Sequence, residues 1–493
     1  MVADRWKIKM RFVIIILIFL ISSGLNAQLY VSPGGVVGIA KGAMVTVKSM
    51  DAINSGAISH AGDMEVTGNI INSGRWTCDS TCDNRISLTL NWTNNFIFKP
   101  GLGRVEFNGA NQNIGGSVEN FFYKLMLRGV EGNKKTLLNH ASCRDSLSLN
   151  KIELATNSNR LSLINASVPV QRISGYISTF NKGYVRTIFP QGISQVREIP
   201  LGYGTGSDKY RPIYTVNPAR DSFDLQLIGN DPTRDGRNSK ALQDSLCSIN
   251  DLYYYGIKTY ESNLFYGVNR TANEQYYTKL ARWDTKKWSK LTGSGPTPFI
   301  GSPNLSFNSQ APATNEYIAQ GRERPFIKAG EDVELNLRTR IVLKSKGYIP
   351  ETASILWSPG ADLTCPTCLN TVISPMAIPG MYTITISNGP KCIAIDSLKA
   401  KQNGVYNELI PNAFSPNADG INDGFGPVMY PGDKLLSIEI FNRWGEKLYK
   451  GTDHWDGTYQ GSVVDQGVYM YIIYILRPGQ RHFNLSGTLT VLH

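Results

Sequence analysis

The motif Ile53-Asn54-Ser55-Gly56 returns as Ile71-Asn72-Ser73-Gly74 eighteen residues later, and Thr93-Asn94-Asn95 falls about one interval further on. A repeat of roughly twenty residues cannot close a domain of its own, so each copy must bury its apolar side against the next. Short strand-like pieces accompany it: Leu88-Thr89-Leu90-Asn91, Leu147-Ser148-Leu149-Asn150 and Leu161-Ser162-Leu163-Ile164-Asn165. Short strands with Asn and Gly at the corners predict a β-solenoid over residues 28–195, its apolar positions stacked inward. Only two copies match well, and an ordinary β-sandwich with Asn-Ser-Gly turns also accommodates them. Both architectures stand at this point.

The chain has 493 residues, more than one core can organise, which predicts three or four domains. Its 47 glycines, frequent Asn, Ser and Thr, and lack of long helical periodicity give an all-β, multidomain expectation. At the front, Lys7, Lys9 and Arg11 precede ten apolar residues, Phe12 to Ile21, and Leu25-Asn26-Ala27 ends on a small residue. That is the layout of a signal peptide over residues 1–27, cut after Ala27. Ten residues are too few to cross about 30 Å of hydrocarbon. The formal charge is +11; losing Arg5, Lys7, Lys9, Arg11 and Asp4 with the signal leaves +8. These charges are spread out rather than striped, so no nucleic-acid partner is expected and solubility is the plainer reading.

Residues 196–320 read as a further β-rich domain, with a Gly/Ser/Pro-rich loop or linker at 292–312. Gly202-Tyr203-Gly204-Thr205-Gly206 lacks the strand and helix a phosphate cradle needs, and reads as a loop. Tyr253-Tyr254-Tyr255 with Trp283 and Trp288 fits either a sugar-stacking face or the core of this domain. Of seven cysteines, Cys78 and Cys82 form one close pair; Cys365 and Cys368 form another, with Cys392 following. No His lies near them to complete a zinc site, so structural disulfides are expected, with one cysteine left over. Val333 to Leu337, Ile355 to Gly360 and Tyr382 to Ser387 are strand-like, with Trp357 as a core aromatic. Residues 326–402 thereby resemble a single immunoglobulin-like repeat of the PKD-like type, which implies a spacer or adhesive module.

Residues 406–493 read as a small antiparallel sandwich. Ser437 to Phe441 alternates apolar and polar side chains, Asn442-Arg443-Trp444-Gly445 turns the chain, and Glu446 to Tyr449 leads away. Val468 to Leu476 is apolar on both faces and suits a central strand; Pro478 to Arg481 turns into a last strand, Ser486 to Leu492. Trp444, Trp455 and Phe441 are expected to fill its core.

Four ordered motifs mark this region. The first contains Pro411, Asn412, Phe414, Ser415, Pro416, Asn417, Asp419, Gly420, Asn422 and Asp423; the second, Asn442, Arg443, Trp444 and Gly445. Trp455, Asp456 and Gly457 form the third, and Gly467, Val468 and Tyr469 the fourth. Together they closely resemble the gliding-motility-associated C-terminal domain, the type B sorting domain of type IX secretion. Ala418 stands where that family usually has Gly, and the chain ends on His493 where the family tends to end on a basic residue. The resemblance implies a secreted protein at the outer surface, with an outer-membrane translocon and an associated outer-membrane anchoring protein as partners. Residues 28–195 also resemble the filament-like surface segments of such cargo.

Two chemical questions stay open in the sequence. Asn417, Asp419, Asn422 and Asp423 imitate the first half of a calcium loop, yet lack the distal bidentate Glu. The same residues suit a run of Asx-turns. Calcium is the one cofactor the sequence suggests. Asp63, Glu65 and Arg75 are the candidates if the solenoid degrades polysaccharide, but carboxylate pairs at such spacing are common by chance. With five His residues, no His-Glu-x-x-His and no Gly-x-Ser-x-Gly, no catalytic residue is assigned. The expectation is an adhesin or surface-filament component that meets a surface glycan or other extracellular ligand. A polysaccharide-degrading enzyme and a purely structural filament subunit are the rivals.

Overall fold

In the repeat region each coil lays down short strands whose side chains alternate inward and outward, and successive coils pair in parallel. The computed structural model describes residues 28–493 except 80, 167, 191–195, 204–208, 217–220, 261–263, 269–273, 275, 292–304, 310–314, 336–339, 375–376, 403–408, 431–432, 478–481 and 493. The signal-like segment 1–27, the turn 478–481 and His493 therefore lie outside the described residues, as does much of the 292–312 stretch. Among the described residues no helix is long and apolar enough to cross a membrane.

The chain divides into two compact units, 1–324 and 325–493. In the first, an eight-stranded parallel sheet runs from Leu29–Val31 to Tyr176–Ser178. A four-stranded sheet, Val36–Ile39 to Phe98–Lys99, closes a second face of the early coils. The third face begins at Met44–Val47 and continues through Tyr184–Phe189. There the direction reverses: Asp221–Ile228, Tyr254–Thr259 and Asn315–Glu323 add on antiparallel, making one fourteen-stranded sheet. The solenoid and the strands that follow it thus share a continuous hydrogen-bonded surface.

Asparagines hold the corners. Asn54 donates from Nδ2 to Asn72 Oδ1 at 2.8 Å, and Asn72 donates to Asn94 Oδ1 at 2.7 Å. All three are buried, so each amide must find its partners inside the coil stack. Gly74 follows from the same stacking: a Cβ there would sit 2.2 Å from the Gly56 carbonyl oxygen of the preceding coil. Between the corners Trp76, Trp92, Phe98 and Phe122 form a buried aromatic column, with Trp92 and Phe98 centroids 4.8 Å apart.

Tyr253, Tyr254 and Tyr255 are all buried, as is Trp288; they pack the two sides of this sheet rather than offering a stacking face. Part of the stretch read as a loop, Leu305–Ser309, is a strand paired with Leu264–Val268. Its alternation of Leu305 and Phe307 with Ser and Asn is a period-two pattern hidden by the surrounding Gly, Ser and Pro.

In the second unit, Val333–Leu335, Ile393–Gln402, Gly380–Ser387 and Ser354–Ser358 form a four-stranded sheet. With two short pairs it encloses a core in which Trp357 is buried and donates from Nε1 to the Cys368 carbonyl at 3.1 Å. Further on, Ala413–Phe414, Phe483–Val491, Gly467–Leu476, Lys434–Phe441 and Lys447–Gly451 make a five-stranded sheet with Gly467–Leu476 at its centre. Its core is completed by Phe425, Trp455 and Val464 from the connecting segments, and Thr458–Tyr459 and Ser462–Val463 form a separate short hairpin.

Candidate functional site

Three of the four C-terminal motifs meet in one core. Phe414 from the first and Phe425, two residues past its end, lie 6.2 Å apart; Phe414 is 5.5 Å from Trp455 of the third, and Trp455 is 5.7 Å from Tyr469 of the fourth. Polar ends are satisfied locally: Trp455 donates from Nε1 to Thr458 O at 3.0 Å, and the Tyr469 hydroxyl to Asp465 O at 2.7 Å. Asp456 turns the chain by accepting from the Thr458 hydroxyl at 2.7 Å and the Thr458 amide at 3.0 Å, which together hold its carboxyl below the usual carboxylate range. Gly457 then takes φ 76°, and a Cβ there would lie 2.7 Å from Pro416. Both conditions select glycine.

The second motif does something else. Asn442 Oδ1 accepts from the amides of Trp444 and Glu446, both at 3.0 Å, and its Nδ2 donates to Glu446 Oε2 at 2.9 Å. This tight turn projects residues 443–445 beyond the sheet. Trp444, expected in the core, is 80% exposed, with the Arg443 guanidinium 5.3 Å over its ring. Phe441 is half-buried and Trp455 fully buried, so of the three expected core aromatics only Trp455 is central. Arg443 Nη2 also lies 3.6 Å from where a Gly467 side chain would begin. Beside it Val468 and Met470 face outward, 54% and 42% exposed. Isolated apolar surface residues are ordinary; here an exposed Trp with a guanidinium over its ring stands on the same sheet as exposed Val468 and Met470.

A buried ion pair that the sequence reading missed pins the other end of the central strand. Arg477 donates to Asp433 from Nε at 3.0 Å and from Nη2 at 2.7 Å, with the Phe483 ring 4.9 Å away. No motif flags residues 44 apart in sequence; only the Arg that ends an apolar strand hinted at it.

In the first motif loop, Asp423 accepts from the Ala418 amide at 2.7 Å and the Gly420 amide at 2.6 Å. Asp419 accepts from Ile421 at 2.8 Å and Asn417 from Asp419 at 3.2 Å. The carboxylates are turned onto the loop's own backbone, and Asn422 sits at φ 55°. Asx geometry accounts for these side chains. Elsewhere, Cys78 bridges to Cys82 and Cys365 to Cys368; Cys392 is buried, and Cys143 is a buried free thiol pushed up to about 12 by desolvation. Asp63 and Glu65 share the strand Asp63–Val66 in the fourteen-stranded sheet, whereas Arg75 belongs to Arg75–Thr77 in the four-stranded one. The Asp63 carboxylate instead meets Arg85, accepting from its amide at 2.9 Å.

The C-terminal sheet and its motif core make a small β-module with a displayed aromatic turn. Residues 409–491 match the CHU_C Type IX secretion signal domain. The protein carries this domain and is exported to the cell surface or extracellular space by type IX secretion, whose machinery the domain engages. No curated protein matches the chain.

Solved structures align at low similarity. Dimeric latent PorU from Porphyromonas gingivalis is 12% identical with a TM-score of 0.14, over 57% of this chain and 31% of that one. Drosophila N-cadherin EC1-4 is 9% identical with a TM-score of 0.16, over 62% and 73% of the respective chains. The BSP domain of a biofilm-associated protein is 9% identical with a TM-score of 0.13, over 58% and 76%. Scores at this level carry no argument about fold or function.

Proposed function

We propose that the chain is an adhesin of the outer cell surface: residues 28–324 engage an extracellular ligand, and a PKD-like repeat at 326–402 spaces them from the sorting domain. The observation that supports this reading most is the fourteen-stranded sheet, which runs unbroken from the solenoid into the antiparallel strands and offers one stiff outward face. The carboxylates and arginine that a glycosidase reading would use belong to different sheets. Incubating the purified secreted chain with extracellular polysaccharides and host cells separates the readings. An adhesin binds without releasing new reducing ends; release of reducing ends would replace it with the enzyme.

A filament role is favoured by one feature, the exposed Tyr30, Val36 and Met44 on the first coil. Concentration-dependent light scattering of the secreted chain, abolished by Val36→Asp, is its signature.

Within the sorting domain, the Trp444 turn with Val468 and Met470 is the surface offered to the outer-membrane translocon and its anchoring protein. Trp444→Ser then lowers the exported fraction while the domain stays folded; unchanged export would remove Trp444 from that role.

A further inference from the structure

Beyond the last coil, the outer face of the long sheet carries a trough. Its floor is in register across three strands: Gln226 on Asp221–Ile228 stands opposite Gly256 on Tyr254–Thr259, which stands opposite Tyr317 on Asn315–Glu323. Tyr184, on the neighbouring strand Tyr184–Phe189, forms the other wall. Two adjoining cavities of about 600 and 340 Å³ share Gln226 and Tyr317 and lie toward opposite ends of the strands. At about 3.4 Å per residue, the run from Tyr254 to Tyr260 gives the trough a length of roughly 20 Å.

Gly256 is what keeps the floor low. A Cβ there would meet Gln226 and Tyr317 at 3.6 Å, ordinary contact, so the backbone does not demand glycine and a side chain would simply fill the space. The walls are braced. Arg237 lies 3.3 Å over the Tyr317 ring and donates to the Tyr254 hydroxyl at 3.0 Å. Arg186 is held bidentate by Asp224 at 2.7 and 2.9 Å and donates to the Tyr260 hydroxyl at 2.7 Å.

Other groups are left over. Gln226 lines both cavities from the floor, and Asn230, at the wall of the larger one, has no hydrogen-bond partner for its Oδ1 among the described residues. Lys182 lines one cavity and Lys258 the other, and among the described residues neither joins an ion pair. Four cations, Lys182, Arg186, Arg237 and Lys258, line the cavities with three carboxylates, Asp224, Asp235 and Glu316; Asp224 is engaged by Arg186, and Glu316 lies 3.5 Å from Arg282. Tyrosine faces suit the C–H faces of sugar rings, planar amides suit hydroxyl pairs, and surplus cations select an anionic partner.

We propose that this trough binds a carboxylate-bearing polysaccharide, its chain lying along the strands between Tyr184 and Tyr317 and its carboxylates meeting Lys182 and Lys258. The proposal rests on the adhesin reading and names its ligand class. Calorimetric titration of the secreted chain with polygalacturonate oligosaccharides, and with cello-oligosaccharides of equal length, tests it. Expected are binding of the uronate only, at least tenfold weakening in 0.5 M salt, and at least tenfold loss in Gly256→Leu and in the Lys182→Glu/Lys258→Glu double variant. Gly256→Leu is compatible with a strand, and circular dichroism checks that both variants are folded. Absence of uronate binding, equal binding of the neutral oligosaccharide, or full affinity in the Gly256→Leu chain would each overturn it. Cell adhesion measured on the same proteins separates the two readings. Adhesion that persists without uronate binding leaves the adhesin and removes the trough, whereas loss of both removes both.

Discussion

Asn72 is the middle rung of the corner ladder, and replacing it with alanine is the sharpest test of how the solenoid is held. Its Nδ2 donates to Asn94 Oδ1 at 2.7 Å and to Ile97 O at 3.1 Å, while its Oδ1 accepts from Asn54 at 2.8 Å. The Ile97 carbonyl keeps the Trp76 amide at 2.8 Å, so it is not stranded. Asn94 Oδ1 loses its donor and the Asn54 amide loses its best acceptor, both in a buried corner. At about 1–3 kcal/mol for each buried group left unpaired, Asn72→Ala costs about 4 kcal/mol, nearly a thousandfold in the local opening constant. Asn95→Ala, at the exposed side of the same corner, costs less than about 1 kcal/mol because water replaces its partners. Hydrogen exchange of the secreted chain, followed on the peptides covering residues 52–94, reads both. A loss below 1 kcal/mol for Asn72→Ala, or equal effects of the two substitutions, would refute the ladder as a stabilising device.

Acid should loosen the same region. His60 is buried, accepts at Nδ1 from Asn84 at 2.7 Å and leaves Nε2 unpaired; burial pulls its pKa down to about 4, against a smaller opposing effect of Asp63. The unfolded chain therefore binds the extra proton first. Stability present above pH 6.5 declines by about 3 kcal/mol as the pH falls to 4, and His60→Gln flattens that part of a denaturation-versus-pH curve. In the sorting domain, Trp455→Ala costs about 3–5 kcal/mol by local hydrogen exchange, whereas Trp444→Ala stays within about 0.5 kcal/mol. Because Asp419 and Asp423 are committed to backbone amides, chelator or millimolar calcium leaves the melting of this domain unchanged; a calcium-dependent rise would give the loop an ion.

What the sequence disclosed follows from what is local. Ile-Asn-Ser-Gly at an interval of eighteen announced a coil because each corner residue meets its own counterpart in the next turn. The later coils were harder to see: their spacing stretches to 22 residues, and Gly116 takes the place of the next asparagine, so the motif fades while the stacking persists. The sorting motifs were legible as strings, but their physical division was not. Trp455 and Trp444 look equivalent in sequence; one is buried in the core just after an exposed bend, while the other sits in a turn that Asn442 ties shut outside the sheet. The tyrosine trough was invisible because Tyr184, Gln226, Gly256 and Tyr317 are brought into line only by strand register. The tyrosines that did attract notice, at 253–255, belong to the packing beneath it and beside it.

The central claim, that the C-terminal module is the address that takes this protein out of the cell, is tested most directly by locating the tagged full-length chain in a host with type IX secretion. It should be measured against the same chain lacking residues 409–491. The intact chain is expected at the surface or in the medium, and the truncated chain folded but retained in the periplasm. Equal surface fractions for the two would contradict it.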